Sequence, residues 1–157
     1  MRADQAASSS SPQSASGMTH DEIVAFFQRR QGLFDDFDAI GLAADYADDV
    51  VVESPMAGAH AGRAAAEKVW RATFEGFLDI KMTTDALLVD GDRVAHFVTA
   101  EGTHMSDFMG MPASHKPFRL PVAFLYELKD RKIVHERRIY DFTGLLVQIG
   151  LLKAKPV

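Results

Sequence analysis

From Met18 to about Asp48, apolar residues recur at helical spacing: Ile23, Phe26 and Phe27, then Leu33, Phe34 and Phe37, then Ile40, Leu42 and Tyr46. Thr19 or His20 precedes an acidic first turn of Asp21 and Glu22, which suits the positive end of a helix dipole. The pattern predicts two helices, broken near Asp35, Asp36 and Asp38. Val50 to Glu53 is a short β-branched run and reads as a strand, ended by Pro55 and Gly58. Residues 62–77 predict a third helix whose Val69, Trp70, Thr73, Phe74 and Phe77 form one aromatic-rich face. Such a face is core, or a cavity wall where a sheet curves away from it.

After that helix the period changes to two. Ile80 to Val89 and Arg93 to Met105 flank Asp90-Gly91-Asp92, in which Asp-Gly is a strong hairpin signal. Leu120 to Lys129 and Lys132 to Asp141 flank Asp130-Arg131, a less typical hairpin turn. Pro121 cannot donate to a ladder, so its strand is expected at an edge or with a bulge. The chain then turns into a short apolar segment, TGLLVQIG, closed by Gly150. Helices first and long hairpins afterwards imply an α+β fold: three N-terminal helices on one face of a curved antiparallel sheet, enclosing a conical pocket.

Strand alternation nominates the polar groups of that pocket. On the last strand Asp141, Ile139, Arg137, His135 and Ile133 share one face, and Tyr140, Arg138, Glu136 and Val134 the other. On the earlier hairpin arm His96, Val98, Ala100, Gly102 and His104 share a face. If the apolar members mark the concave side, Asp141, Arg137 and His104 line the cavity together. Asp141 is then either a cap on the following short helix or a base whose pKa an apolar cavity would raise. His104 is a structural hydrogen-bonding residue or a donor to a developing enolate oxygen. Arg137 is an anchor in the pocket or a paired surface or interface residue. Trp70, Phe74, Phe108 and Met109 are the candidate apolar walls.

Composition narrows the partners. The 157 residues suit one domain, and the absence of cysteine excludes disulfides and thiolate metal sites. Seventeen Lys and Arg against 22 Asp and Glu give a net charge of −5 without a basic face, which argues against nucleic acid. No apolar run approaches the ~20 residues of a membrane span. Residues 1–17 are rich in Ser and Ala and lack the apolar stretch of a secretory signal, so they read as a disordered leader, and a cytoplasmic location is expected by default. The six His lack metal-site spacing, so no metal is expected, and neither a phosphate-cradling Gly loop nor a nucleophile elbow occurs.

The segments GTHMSDFMGMP (102–112), KPFRLP (116–121) and KIVHERRIYDFTGLLVQIG (132–150) resemble the Gly-Thr-His, Phe-Met-Gly and Asp-x-x-Gly-Leu-x-x-Gln-x-Gly patterns of the SnoaL-like polyketide cyclases, within the nuclear transport factor 2-like superfamily. The likeness extends more loosely over residues 20–152, giving a single domain at 18–152 and a tail at 153–157. It implies an α+β cone, a homodimer through the open sheet face, and cofactor-independent acid–base chemistry on a hydrophobic carbonyl compound. The Asp of an aldol ring closure carries over onto Asp141, and the Gly-Thr-His histidine onto His104. A cyclase or isomerase is the leading expectation; a non-catalytic binding module and an epoxide or lactone hydrolase are the alternatives.

Three departures matter. Family members commonly carry Trp where this chain has Arg137, so the pocket is expected to be more polar and its substrate to carry a carboxylate or other anion. The usual Asp-Gly turn is Asp130-Arg131 here. The His often found in the first strand is Glu53, a second candidate pocket acid; with Asp141 and Arg137 it resembles the Arg and paired acids of epoxide hydrolases.

Overall fold

The computed structural model describes residues 14–108 and 110–154. Helix α1 (His20–Asp35) starts in a capping box: the Thr19 hydroxyl accepts the Glu22 N–H at 3.2 Å, and the Glu22 carboxylate accepts the Thr19 N–H at 2.8 Å. Asp38 caps the short α2 (Ala39–Ala44). Strand β1 (Tyr46–Ser54) follows at once, then β2 (Gly58–Ala61) and α3 (Arg63–Gly76). Two hairpins, β3 (Lys81–Asp90) with β4 (Arg93–Thr103) and β5 (Pro117–Lys129) with β6 (Lys132–Ile139), precede α4 (Phe142–Gln148).

The strands form one curved six-stranded sheet in the order β2-β1-β6-β5-β4-β3. It is mixed rather than antiparallel throughout, because β1 runs parallel to β6. With β5 on its other side, β6 has one edge left, and β1 closes it with Val50 and Val52 buried. The β1 strand is longer than its β-branched run, beginning at Tyr46, which the helical spacing had assigned to a helix. The β2 strand was not expected at all. Pro121 lies in the interior strand β5, yet β6 pairing ends at Ala123↔Ile139, so the proline sits where that side of the ladder has already opened.

One irregularity decides which residues face the helices. Glu127 and Leu128 are adjacent on β5 but pair with His135 and Ile133, so Val134 is an extra residue on β6. A bulge of this kind reverses the side-chain parity beyond it. Ile133 and Glu136 are therefore both fully buried, Arg138 follows Glu136 inward, and His135, Arg137 and Ile139 turn to the outer face. Alternation carried through Val134 had placed these sets the other way round. The outer face, where the expected homodimer would form, bears a paired row of Ala86, Phe97, Ala123 and Ile139.

Residues 1–13 of the expected leader lie outside the described residues. Ser14–Gly17 are in contact with the domain: Asp92 accepts the Ala15 and Ser16 N–H groups at 2.8 and 2.9 Å, and Ser16 is buried. Asp130 (φ 48°) and Arg131 (φ 60°) both occupy the left-handed region that favours glycine. Their N–H groups donate to Ala15 and Ser16 carbonyls at 2.9 and 2.7 Å, and Arg131 Nη1 donates to Gly17 O at 3.1 Å. These contacts offset the cost of the turn.

The parity switch has a simple check. Replacing Ile133 with Ala is expected to cost about 3 kcal/mol in urea unfolding, the range for truncating a buried isoleucine. Ile139→Ala, on the outer face, should cost below about 0.5 kcal/mol, and equal costs at the two positions, as unbroken alternation implies, would contradict the bulge.

Candidate active site

Between α3 and the sheet lies a cavity of about 80 Å³. Val69, Thr73 and Phe77, spaced four apart on α3, form one wall. Ala66, Trp70 and Phe74, one position on, are buried behind it. The sheet supplies apolar side chains, among them Leu120, Val122 and Phe124, and the mouth carries Ser54, Met56, Tyr140 and Leu145. The only ionised lining group among the described residues is Arg138.

Arg138 is 9% exposed and its position is over-determined. Its Nε donates to Glu136 Oε1 at 2.5 Å, and its guanidinium carbon stands 4.3 Å from the Trp70 ring centroid and 5.7 Å from that of Phe124. The other Glu136 oxygen accepts from the Tyr46 hydroxyl. That hydroxyl also accepts from Trp70 Nε1 at 3.0 Å and Arg30 Nη2 at 3.3 Å. Arg30 continues the chain to Leu42 O and to Asp45, both at 2.9 Å, and Arg29 reaches Asp45 at 2.6 Å. Each ion taken from water costs several kcal/mol unless it is paired and hydrogen-bonded, and this network supplies both conditions.

Burial alone would draw the Arg138 pKa down, but the Glu136 carboxylate together with Tyr46 and Tyr126 more than offsets it and holds the group above its ordinary value. Burial and then Glu136 push Tyr46 well up, so it stays a donor. Burial also raises Tyr140 at the mouth. One nitrogen of the network is left over: Arg138 Nη2 is buried and has no hydrogen-bond partner among the described residues.

The nominated residues are not brought together as alternation implied. Asp141 is exposed and caps α4, its Oδ1 accepting the Gly144 N–H at 2.8 Å; its neighbours Tyr140 and Leu145 line the cavity, but Asp141 itself does not. His104 is fully buried behind the Phe77 and Phe108 rings. Its Nδ1 accepts the Ser114 N–H at 3.2 Å, so the ring proton sits on Nε2, which has no partner among the described residues. Arg137 is not in the cavity: on the outer face its Nε donates to Glu53 Oε2 at 3.2 Å. Glu53 faces outward as well, held also by His135 at 2.7 Å, and Arg137 with His135 keeps its pKa low. Phe108 lines the cavity; Trp70 supports its floor through Arg138; Phe74 packs on Phe34 and Phe37 instead; Met109 lies outside the described residues.

Arg138, Glu136 and Tyr46 escaped the sequence reading because the bulge was invisible and Tyr46 continued a helical pattern. The available signal was the charged tetrad His135-Glu136-Arg137-Arg138 inside a strand, where some charge has to be buried.

An α+β cone with a sheltered, largely apolar cavity defines the ketosteroid isomerase-like, nuclear transport factor 2-like class of fold. The family model for SnoaL-like polyketide cyclases matches residues 24–149, and the chain belongs to that family. Among solved structures it is similar to IdmH, a proposed polyketide cyclase from Streptomyces antibioticus, with 29% identity over 79% of this chain and 97% of IdmH and a TM-score of 0.66. AclR, a proposed hydroxylase from Streptomyces galilaeus, is 22% identical over 88% of this chain and 87% of its own, with a TM-score of 0.75. TerC, co-crystallized with polyporic acid, is 17% identical over 80% of this chain and 96% of its own, with a TM-score of 0.66. The last two show the fold alone. A search of curated proteins found no match. No helix among the described residues is long and apolar enough to cross a membrane.

The buried pair makes a prediction. Glu136→Gln keeps shape but leaves Arg138 without its counter-ion, and should lower unfolding free energy by about 3–5 kcal/mol. A loss below about 1 kcal/mol would mean that Glu136 does not balance the buried arginine.

Proposed function

We propose that the protein is a cofactor-independent enzyme of the cyclase or isomerase type, acting on a hydrophobic carbonyl compound held in the α3–sheet cavity. The observation that carries this reading is the uncommitted edge of Arg138 in an otherwise apolar cavity. A cation fixed in place by Glu136 and Trp70 needs no reorganisation to meet an oxygen on which charge develops, and low polarity strengthens the interaction. Family membership supports the reaction class.

In this mechanism Asp141 takes a proton from the carbon beside a substrate carbonyl, and the resulting enolate oxygen lies against Arg138. In a cyclase the enolate carbon then attacks a second carbonyl of the same molecule, forming the ring bond, and the new alkoxide is protonated. In an isomerase the proton returns at a different carbon. Asp141 is suited to this role because the cap engages Oδ1 and leaves Oδ2 for a substrate. His104 acts from behind the wall, where Ser114 fixes its ring against Phe77 and Phe108.

A second reading, a binding module without chemistry, is favoured by the exposure of Asp141 and its use as a cap. The hydrolase alternative loses its second acid, since Glu53 is bound on the outer face by His135 and Arg137.

Asp141→Asn separates the first two readings, because Asn caps a helix as well as Asp but cannot serve as the base. With 2-acetonaphthone in D2O, the wild type should accelerate exchange of the protons beside the carbonyl, followed by NMR. The variant should lose about 100-fold or more of that acceleration at an unchanged melting temperature. Exchange that persists in a folded variant, or no acceleration by the wild type, leaves only the binding reading.

A further inference from the structure

The polar end of the cavity holds a cation whose donors are not all used. The continuous network Asp45–Arg30–Tyr46–Glu136–Arg138, with Arg29 attached to Asp45, joins the cations Arg29, Arg30 and Arg138 to the anions Asp45 and Glu136. The buried pairs Arg30–Asp45 and Arg138–Glu136 balance one another, and the third cation, Arg29, is exposed to solvent. Arg29 and Arg30 are both bonded to Asp45, and Asp45 is divided between them, one oxygen to each. Arg138 gives only its Nε edge to Glu136, whose other oxygen is taken by Tyr46. Unmet donor capacity is therefore left at the Nη side of Arg138. The rings of Trp70 and Phe124 cover the guanidinium and keep it from turning away.

We propose that the cavity recognises an organic anion: a flat apolar molecule bearing a carboxylate or an equivalent ionised oxygen, docked on the Nη side of Arg138, with Glu136 and Tyr46 as positioning residues. This rests on the reading of the cavity as the active site and adds the charge of its ligand. A charge-assisted hydrogen bond in a sheltered site is roughly twice as strong as a neutral one. Arg137, the adjacent residue and equally charged, takes no part, because it is bound to Glu53 on the opposite face.

The probes are 2-naphthoate and its methyl ester, which share a ring system and differ in charge, with affinities measured by calorimetry on the full chain. The wild type should bind the acid about tenfold or more tighter than the ester. Arg138→Gln should bring that ratio close to one, and Arg137→Gln should leave it unchanged. Tyr46→Phe, which keeps Arg138 but releases Glu136, should reduce the ratio severalfold. A purely structural Tyr46 would lower the melting temperature without moving it. If Arg138→Gln fails to fold, Arg138→Lys serves in its place: it retains the charge but loses the planar fork, and the ratio should fall. Equal binding of acid and ester by the wild type, no binding of the acid, a ratio retained without Arg138, or a ratio lost with Arg137→Gln would each overturn the proposal. Any of these could occur while Asp141→Asn still abolished proton exchange, so failure here is distinguishable from failure of the enzymatic reading.

Discussion

The Glu136 carboxylate, held between Arg138 Nε and the Tyr46 hydroxyl, is the constraint on which the rest of the structure depends. A fully buried carboxylate is tolerated only with charge and hydrogen bonds around it. Satisfying it draws in four elements at once. Tyr46 opens β1, which runs parallel to the strand carrying Glu136; Arg30 reaches in from α1; Trp70 comes from α3 and stacks on the arginine. The helices are thereby tied to the sheet by directional bonds as well as by the aromatic packing around Phe34, Trp70 and Phe74. The same bonds set the floor of the cavity, so stability and chemistry share one group of residues.

A cavity built this way has largely apolar walls and a cationic floor at Arg138. The floor suits an oxygen that gains or already carries negative charge, and the walls suit a flat hydrophobic body. Division of labour follows from position: Arg138 is buried and cannot leave its site, whereas Asp141 is exposed and has an oxygen to spare. The family to which the chain belongs is that of the SnoaL-like polyketide cyclases.

Local features were legible in the sequence and long-range ones were not. The Thr19–Glu22 capping box, the aromatic spacing of α3 and the Asp-Gly turn between β3 and β4 are all written within a few residues, and the structure has them. The β2 strand, Gly58–Ala61, carries no β-branched residue and forms because β1 offers it an edge. The parallel join of β1 to β6 links residues about ninety apart, as in Tyr46 with Glu136, and leaves no local mark. Asp141 was legible as a cap from the glycine-containing turn after it. Arg137 and Arg138 could not be told apart, because the extra residue at Val134 inverts the faces and nothing in Ile-Val-His-Glu-Arg-Arg announces a bulge. A single inserted position therefore moved the cationic group of the pocket by one residue while leaving the fold as expected.

The most direct test is a crystal structure of the protein with 2-naphthoate bound. The account predicts the ring between α3 and the sheet and a carboxylate oxygen about 2.9 Å from Arg138 Nη2, the distance of a charge-assisted hydrogen bond. A naphthoate bound instead at Arg137 on the outer face, or in the cavity with its carboxylate turned away from Arg138, would contradict it.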